Sequence, residues 1–326
     1  MLIYARTSSL LVDLPCTNPR ECVKHSNRRV EMAISPLLFI TTSLVALLAI
    51  VLASQQSYRY SVVPLPSSAV VISGASTGLG RDLALTLCSK SAGAVFAGVR
   101  TADAGADLVQ AARSRGCAEG SLRPLRLDVT RDDSVAEAAA MVRAALAETG
   151  LKLAGIVNNA GISYRESARG LDVSEAMYVY NVNVFGVLRL TTAFLPLLER
   201  NGGRIVNTGS VAGLVGLPRW VPYSDTKHAL ESISDSWRRE LQGEGISVSV
   251  LEPGFVRSEL CTRPVCKGDP AETTTPAFLH ALTAERPRAR YAVAKTGLMP
   301  AWFVAWLLRA LPDRILDAVL TQLKFD

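Results

Sequence analysis

A tyrosine and a lysine four residues apart, Tyr223 and Lys227, are the residues of this sequence best suited to acid–base chemistry. In a helix two positions with this spacing share one face. A neighbouring ammonium favours the phenolate, so we expect the lysine to lower the phenol pKa from about 10 toward the working pH. Ser210 precedes the tyrosine by 13 residues and offers a hydroxyl to the same substrate oxygen. The three side chains predict a general acid/base for a carbinol proton.

A glycine-rich segment indicates where an anionic cofactor would bind. Ser73–Gly80 (SGASTGLG) lies between an apolar run and a helical pattern. Its glycines allow a tight turn and a close approach of the backbone to a pyrophosphate, and the next helix presents its N-terminal N–H groups to that anion. The segment, with the spacing GxxxGxG, therefore predicts a dinucleotide site.

The ends of the next three apolar runs carry residues suited to the rest of a dinucleotide. Arg100 ends the second run, where a 2′-phosphate is bound by arginine and an unphosphorylated ribose by an acid. Asp128 ends the third run and suits the exocyclic amine of adenine. Asn158–Gly161 (NNAG) ends the fourth and suits a ribose or ring crossing the strand ends. Because no acid follows the second run, Arg100 favours NADP(H) over NAD(H).

The elements that must position these residues alternate along the chain. Apolar runs and helical patterns succeed each other from residue 69 onward, which predicts a single α/β domain with a parallel sheet covered on both faces. The predicted strands are 69–73, 95–99, 122–127, 153–157, 204–208 and 247–251, and the predicted helices include 134–148 and 222–242.

Composition excludes several classes of function. Hydrophobic residues make up 49% of the 326 residues, which is enough for one large domain. The net charge of +6 is mild, and the sequence contains no dense Lys/Arg cluster, so we predict no nucleic-acid partner. Three histidines and no CxxC pair predict no zinc site. Cys261 and Cys266 are either two loop thiols or, in an oxidising compartment, a disulfide.

Residues 33–54 form a run of 22 residues without a charge. A helix of that length rises about 33 Å and spans a bilayer core. We therefore predict an N-terminal tail (1–32), a transmembrane anchor (33–54) and a linker (55–68), with Met32 as an alternative start. The other interpretations of 33–54 are a buried core helix and a cleaved segment that directs the enzyme to a plastid or mitochondrion.

Charges on the two sides of this run are unequal. Four basic residues precede it and one follows closely: Arg20, Lys24, Arg28 and Arg29, then Arg59. This asymmetry predicts a cytosolic N-terminus and a catalytic domain in the lumen of the endoplasmic reticulum. The tail, residues 298–326, predicts two amphipathic helices separated at Pro312, which contact a membrane, close an apolar pocket or pack on the domain.

Seven short motifs occur in an order that identifies a family. They are SGASTGLG, LDVT, NNAG, NVFG, TGS, YSDTK and EPG, spread over roughly 190 residues from about 69 to 258. In these motifs the chain resembles the short-chain dehydrogenase/reductase superfamily, of the classical type. The resemblance implies a Rossmann-type, doubly wound sheet of about seven strands in a catalytic domain of residues 69–297.

The same resemblance implies a catalytic tetrad of Asn183, Ser210, Tyr223 and Lys227. Tyr223 would act as acid/base, and Lys227 would lower its pKa and hold the nicotinamide ribose. Ser210 would polarise the carbonyl, and Asn183 would hold a water that relays protons. The predicted cofactor-binding residues are Gly74, Ser76, Thr77, Gly78, Leu79, Gly80, Arg100, Asp128, Val129, Asn159, Ala160, Gly161, Tyr223, Lys227, Pro253, Gly254, Val256 and Ser258.

Within the superfamily the chain is similar to the retinol and 17β-hydroxysteroid dehydrogenase branch. The segments VFAGVR, NVFGVLRLTTAFLP, HALTAERPRARYAVA and LPDRILDAVL carry this similarity. It implies a lipophilic alcohol or carbonyl substrate, steroid-, retinoid- or lipid-like, and a membrane-bound homodimer. The segment that would cover the substrate after Glu259 is short. A small carbonyl substrate and a non-catalytic dinucleotide-binding sensor or scaffold are the alternatives.

Overall fold

Strands and helices alternate through the part of the chain that the computed structural model describes, residues 65–90, 92–198, 202–258 and 268–322. The strands of the main sheet are β1 (Leu65–Ile72), β2 (Ala92–Val99), β3 (Leu122–Arg126), β4 (Lys152–Asn158), β5 (Arg204–Thr208), β6 (Ser247–Pro253) and β7 (Arg290–Val293). The helices are α1 (Gly78–Lys90), α2 (Ala102–Ser114), α3 (Asp132–Thr149), α4 (Val173–Tyr180), α5 (Gly186–Phe194), α6 (Val221–Glu240), α7 (Thr275–Thr283), α8 (Ala301–Ala310) and α9 (Asp313–Leu320). A short hairpin pairs β8 (Lys295–Thr296) with β9 (Met299–Pro300).

The seven main strands form one parallel sheet in the order β3-β2-β1-β4-β5-β6-β7. The strand order reverses between β1 and β4, and in sheets of this kind ligands bind at the carboxyl ends of the strands beside that reversal. The predicted α/β fold with a doubly wound sheet of about seven strands is confirmed.

Alternate residues of β1 face the two sides of the sheet, as the pleat requires. Val70 and Ile72 pack with α1, α2 and α7, whereas Ala69 and Val71 pack with α3 and α5. All four side chains have no exposed surface. Burial on both faces explains why this strand reads as a continuous apolar run rather than an alternating one.

The strand bounds differ from the predicted ones at several ends. β5 begins and ends where the pattern indicated, but β1 begins at Leu65 rather than at Ala69. β6 continues through Pro253, so it carries the EPG motif to the sheet edge. β7 has no counterpart among the predicted strands, because its four residues are too short and too mixed in polarity to show a period.

A buried hydrogen-bond network of polar side chains connects β4 and β5 to α6. Asn158 donates from Nδ2 to Oδ1 of Asn207 at 2.7 Å, and Asn207 donates from its own Nδ2 to Oγ of Ser234 at 2.8 Å. All three residues are buried. Removing one partner from such a network leaves a desolvated polar group at a cost of about 1–3 kcal/mol. These hydrogen bonds therefore fix α6 against β4 and β5.

A disulfide joins Cys88 of α1 to Cys117, which follows α2. Their Cα atoms are 5.4 Å apart, and the two cysteines are 29 positions apart in sequence. Closing a loop of this length stabilises a fold by about 3–4 kcal/mol in the chain-entropy account. No sequence pattern indicated this pair, whereas Cys261 and Cys266, considered above as a pair, lie outside the described residues.

The tail contains two helices with different environments. α8 packs on the domain through Ala301, Val304 and Ala305, which are all buried, and none of the residues of α9 is buried. No helix among the residues that the structure describes is both long and apolar enough to cross a membrane. The predicted anchor, 33–54, lies outside those residues.

Candidate active site

The loops after β1 and β4 meet at the hydroxyl of Ser73. This hydroxyl accepts hydrogen bonds from the backbone N–H groups of Asn159 at 3.0 Å and Ala160 at 3.1 Å, and it donates to the carbonyl of Val157 at 3.3 Å. Ser73 is buried. One side chain therefore joins the glycine-rich loop to the NNAG loop at the reversal of strand order.

The glycine-rich loop lies close against the NNAG loop. Gly74 and Gly78 have φ values of 63° and 57°, a region that glycine adopts without steric cost. A Cβ atom on Gly74 would lie 2.8 Å from the Cα of Ala160. The amide of Asn159 donates to the carbonyls of Ser73 at 3.1 Å and Gly74 at 3.0 Å. Asn159, predicted to bind the cofactor, thus holds the loop itself.

The start of α1 fits the phosphates of a dinucleotide. The helix begins at Gly78, directly after the loop, and has no acidic residue in its first turn. Its first N–H groups have no partner within the helix and attract anions. A Cβ atom on Gly78 would lie 3.3 Å from the Cβ of Ser258, so the structure brings Ser258, which was predicted to bind the cofactor, beside the glycine-rich loop.

Arg100 and Asp128 lie at neighbouring strand ends beyond the glycine loop. Arg100 follows β2 and is exposed. Asp128 accepts hydrogen bonds from the N–H and the hydroxyl of Thr130 at 2.9 and 2.7 Å. Burial acts to raise the pKa of Asp128, but these hydrogen bonds and the charges of Arg100 and Arg131 together lower it. Asp128 is therefore ionised at neutral pH, and a cation lies within its electrostatic range.

Asn183 lies in a π-helical turn, residues Asn181–Phe185, between α4 and α5. Such turns are rare and often occur at functional sites. Its amide accepts from the N–H of Ile162 and donates to the carbonyl of Ile162, both at 2.9 Å. It also donates to Oγ1 of Thr226 at 3.0 Å. The buried side chain of Asn183 thus ties the NNAG loop to the helix that carries Tyr223.

Ser210 and Tyr223 lie together at the end of β5. The Ser210 hydroxyl accepts from the N–H of Ala212 at 3.1 Å and lies 3.5 Å from the carbonyl of Pro253. It also lies close enough to the Tyr223 phenol to act on the pKa of that phenol, which it lowers. A carbonyl oxygen placed between the two hydroxyls would meet two hydrogen-bond donors, which is the arrangement needed for protonation of that oxygen.

Lys227 is 5% exposed and lies behind the phenol. Its Nζ donates to the carbonyl of Thr208 at 2.7 Å and is 5.6 Å from the centre of the Tyr223 ring. A Cβ atom on Gly161 would be 3.7 Å from this Nζ and 3.4 Å from Oδ1 of Asn183. Asn183 and Lys227 thus both approach Gly161, and the Tyr223 ring lies beside the same ammonium.

The ionisation of this pair differs from the expectation. Burial raises the pKa of the Tyr223 phenol, and the hydrogen bond with Ser210 lowers it only in part. Burial also lowers the pKa of Lys227, to about 8. In the protein alone the cost of desolvating a phenolate thus exceeds the benefit of the nearby ammonium, whose closest hydrogen-bond partner is the Thr208 carbonyl.

Four residues that sequence reasoning did not single out hold the predicted ones in place. Ser73 and Thr226 act through their side-chain hydroxyls, and Ile162 and Thr208 act through backbone groups. Ser73 and Thr208 carry a weak signal, since each is a small hydroxyl residue where a buried strand ends. In the part of the chain that is described, no group of three or more His, Cys, Asp or Glu side chains could hold a metal ion.

Residues 68–264 match the short chain dehydrogenase family, and the chain belongs to it. The chain is 35% identical over 253 residues to the mitochondrial D-beta-hydroxybutyrate dehydrogenase of Bos taurus, covering 78% of this chain and 70% of that protein. It is 33% identical over 301 residues to retinol dehydrogenase 5 of Mus musculus, covering 79% and 89%. It is thus an oxidoreductase of the short-chain dehydrogenase family that acts on alcohols or ketones, with retinol dehydrogenase-like relatives.

A solved structure supports the same assignment. The chain superimposes with a TM-score of 0.66 on a short chain dehydrogenase from Burkholderia cenocepacia J2315 that was crystallised with NADP. The two sequences are 26% identical, and the match covers 80% of this chain and all of the other.

The buried charge of Lys227 predicts a pH-dependent stability. Since its pKa is 10.5 when unfolded and about 8 when folded, burial of the ammonium costs folding free energy below pH 8. The cost is about 3 kcal/mol at about 1.4 kcal/mol per pKa unit, and it disappears as the pH rises past 10.5, above which the lysine is neutral in both states. We expect cofactor-free Lys227→Met to be more stable than the wild type at pH 7.

Denaturant unfolding of both proteins at several pH values measures this difference. Loss of the hydrogen bond to Thr208 reduces the gain, so a difference of about 1–3 kcal/mol is expected at pH 7, decreasing toward pH 10.5. A Met variant that is no more stable than the wild type at pH 7, or a difference that stays constant with pH, would show that the ammonium is not costly here.

Proposed function

We propose that this protein is an NADP(H)-dependent oxidoreductase that interconverts a primary or secondary alcohol and its aldehyde or ketone. The observation that carries the proposal is the neighbouring pair of hydroxyls, Ser210 and Tyr223, with the buried Lys227 ammonium 5.6 Å from the centre of the Tyr223 ring. This pair lies at the same sheet edge as the glycine-rich loop. Two hydroxyl proton donors and a dinucleotide-binding loop at one edge of the sheet suit the reduction of a carbonyl and the oxidation of the corresponding alcohol.

In the direction of reduction, Tyr223 gives its phenolic proton to the carbonyl oxygen while Ser210 donates a hydrogen bond to that oxygen. In the direction of oxidation, the phenolate takes the proton from the alcohol. A bound nicotinamide supplies or accepts the hydride in this chemistry. The ammonium of Lys227, 5.6 Å from the ring centre, stabilises the phenolate that Tyr223 becomes when it gives up its proton.

Asn183 is proposed to position the site rather than to hold a water through its side chain. Both ends of its amide are already used, by Ile162 and by Thr226. Ile162 directly follows Gly161, and Thr226 directly precedes Lys227. The amide therefore sets the distance between the NNAG loop and the lysine.

Arg100 supports the choice of NADP(H). It is exposed at the end of β2, and no acid follows that strand directly. Guanidinium groups bind phosphate through two parallel hydrogen bonds, which an unphosphorylated ribose cannot accept. The relative from Burkholderia cenocepacia that was crystallised with NADP is consistent with this preference.

An apolar rim supports a lipophilic substrate. Phe255, directly after the EPG motif, is 48% exposed, and its N–H donates to the carbonyl of Lys295 at 2.7 Å. This bond holds the β8–β9 hairpin, with exposed Leu298 and Met299, beside the EPG motif. Exposed apolar side chains grouped in this way suit an apolar ligand. The retinol dehydrogenase relative is compatible with this class of substrate.

We also propose a membrane anchor at residues 33–54 and a catalytic domain in the lumen of the endoplasmic reticulum. The charge asymmetry around the anchor supports the orientation. The Cys88–Cys117 disulfide supports it independently, because disulfides persist in oxidising compartments. The exposed apolar residues of α9, Ile315 and Val319, suit contact with the same membrane. A homodimer remains a prediction from the family resemblance, and light scattering tests it.

Removal of the proposed acid/base tests the mechanism. Tyr223→Phe deletes one oxygen, so the site keeps its shape and should bind NADPH as the wild type does. Loss of a general acid/base lowers turnover by about 10²–10⁴-fold. Steady-state kinetics and a fluorescence titration of NADPH measure the two effects. Turnover like that of the wild type in purified Tyr223→Phe would refute the proposed role.

Reversal of one charge tests the cofactor preference. Arg100→Asp should weaken NADPH and favour NADH, because it replaces a charge-assisted contact worth about 1.5–3 kcal/mol with a repulsion. We expect the ratio of kcat/KM for the two cofactors to shift by about ten-fold or more. Arg143→Asp, at an exposed arginine of α3, is the matched control. Equal kcat/KM for NADPH and NADH in the wild type would contradict the assignment.

Protease treatment of sealed microsomes tests the topology. We expect the catalytic domain to be digested only after detergent is added, and the protein to remain in the membrane in alkaline carbonate. Without prior reduction, Cys88 and Cys117 should resist alkylation. Digestion without detergent rules out the lumenal side, and release by carbonate rules out the anchor. A mature N-terminus beyond residue 54 would instead indicate a cleaved targeting segment.

A further inference from the structure

Glu252 is a buried carboxylate that has no role in the mechanism above. It lies in β6, directly before Pro253 and Gly254, and has no exposed surface. Its Oε1 atom accepts a hydrogen bond of 2.5 Å from Nη2 of Arg309 in α8 and lies 3.5 Å from Nε of Arg290 in β7. An ionised carboxylate without exposed surface needs compensating cations, and these two guanidiniums supply them.

The elements packed around Glu252 carry several other charged groups. They are Glu231, Asp235, Arg238 and Arg239 of α6, Arg290 of β7 and Arg309 of α8. Arg290 divides its charge, since it lies 2.8 Å from Oε2 of Glu231 and 3.1 Å from Oδ1 of Asp235. In the part of the chain that is described, Arg309 pairs with Glu252 and with no other acid. Arg309 is therefore the main counter-charge of Glu252.

The helix that carries Arg309 is fixed at both ends. At its start, the N–H of Ala301 donates to the carbonyl of Ala294 at 2.9 Å. Ala294 has a φ of 64°, which is uncommon for a residue with a side chain and costs energy that the surrounding contacts must offset. Between its ends, α8 lies beside the turn Val211–Gly213, which directly follows Ser210. The helix thus connects the end of β6 with the turn after Ser210.

The segment after Glu252 lies beside the groups that are proposed to react. The carbonyl of Pro253 is 3.5 Å from Oγ of Ser210, and the N–H of Gly254 donates to the carbonyl of Val293 at 2.9 Å. Because Ser210 faces the reacting carbonyl in the proposed mechanism, this segment lies at the nicotinamide end of the cofactor site. The ends of β2 and β3, predicted to bind the adenosine part, lie on the other side of β1, β4 and β5.

We propose that Glu252 and Arg309 are positioning residues, whose ion pair holds the segment of Pro253 and Gly254 where it binds the nicotinamide end of the cofactor. This inference rests on the oxidoreductase function proposed above. Glu252 acts through the backbone that follows it, and Arg309 acts through Glu252. A misplacement of about 1 Å in such a site can lower turnover by about 10²-fold.

The ionisation of Glu252 makes this arrangement dependent on pH. Burial and the like charge of Glu231 raise the pKa of Glu252, whereas Arg309 and Arg290 lower it in part, and the resulting pKa is about 7. Above pH 7 the carboxylate is ionised and pairs with Arg309. As the pH falls through 7 it gains a proton and the ion pair is lost. We therefore expect binding of the nicotinamide end to weaken below pH 7.

Two ligands separate the ends of the cofactor site: NADPH, and 2′,5′-ADP, which has no nicotinamide. Their dissociation constants are measured on the full-length protein at pH 8 by titration calorimetry. Arg309→Gln should weaken NADPH by about ten-fold or more and leave 2′,5′-ADP unchanged, and Arg309→Lys should restore part of the loss. Arg314→Gln, at an exposed arginine of α9, is the matched control and should change neither. Equal effects on both ligands, or none, overturn the proposal.

Glu252→Gln tests the pH dependence, because it keeps the shape of the side chain and an acceptor for Arg309 but cannot ionise. In the wild type, the affinity for NADPH relative to 2′,5′-ADP should fall by up to about ten-fold between pH 8 and pH 6. The 2′-phosphate titrates in both ligands and cancels in this ratio, and Lys227 titrates in both proteins. In Glu252→Gln the ratio should already be low at pH 8. A fall of the same size in both proteins overturns the proposal.

The double variant Glu252→Gln/Arg309→Gln tests whether the two residues act as a pair. It should bind NADPH no more weakly than either single variant, because each single change already removes the same interaction. Additive losses would show that the residues act separately, and the proposal would fall while the oxidoreductase function stands. A wild type that binds neither NADPH nor NADH overturns both. If the wild type binds NADH instead, NADH and 5′-AMP replace the two ligands.

Discussion

The hydroxyl of Ser73 is the contact on which the rest of the site depends. It lies where the strand order reverses, and it joins the loops after β1 and β4 by accepting two backbone N–H groups and donating to one carbonyl. Without this hydroxyl the N–H groups of Asn159 and Ala160 would lose their hydrogen-bond partner, whereas the Val157 carbonyl would keep the backbone N–H of Ser73. This hydroxyl holds together the segments that lead into the glycine-rich loop and into the NNAG loop, which Ile162 directly follows.

The burial of Tyr223 and Lys227 is the second constraint, because it lowers the stability of the fold while it places both side chains where the chemistry needs them. Lys227 and Tyr223 are placed where desolvation disfavours both of their charged forms. The surrounding structure must therefore stabilise the fold elsewhere, as the Asn158–Asn207–Ser234 chain and the Cys88–Cys117 disulfide do. A site of this kind is ready for a cofactor and a substrate that complete its electrostatics, rather than optimal for the protein alone.

Much of the fold was predictable because the parallel strands are buried on both faces. Their apolar runs are continuous, and the turn residues after them are easy to recognise. Six of the seven strands were therefore predicted, β5 with the same bounds and the other five within a few residues. β7 was missed, since a four-residue strand at the sheet edge has no period of its own. The Cys88–Cys117 pair was missed because sequence separation alone does not show which residues meet in space.

The sequence by itself determined the family, the strand–helix alternation and the identity of the polar residues at the strand ends, because these depend on local periodicity and on motif order. The tertiary structure alone decided how those residues are used. It assigned the amide of Asn159 to the glycine loop, and that of Asn183 to Ile162 and Thr226. It also set Arg309 of α8 against Glu252 at the end of β6. Hydrogen bonds and ion pairs between residues far apart in the chain depend on distances that no spacing in the sequence records.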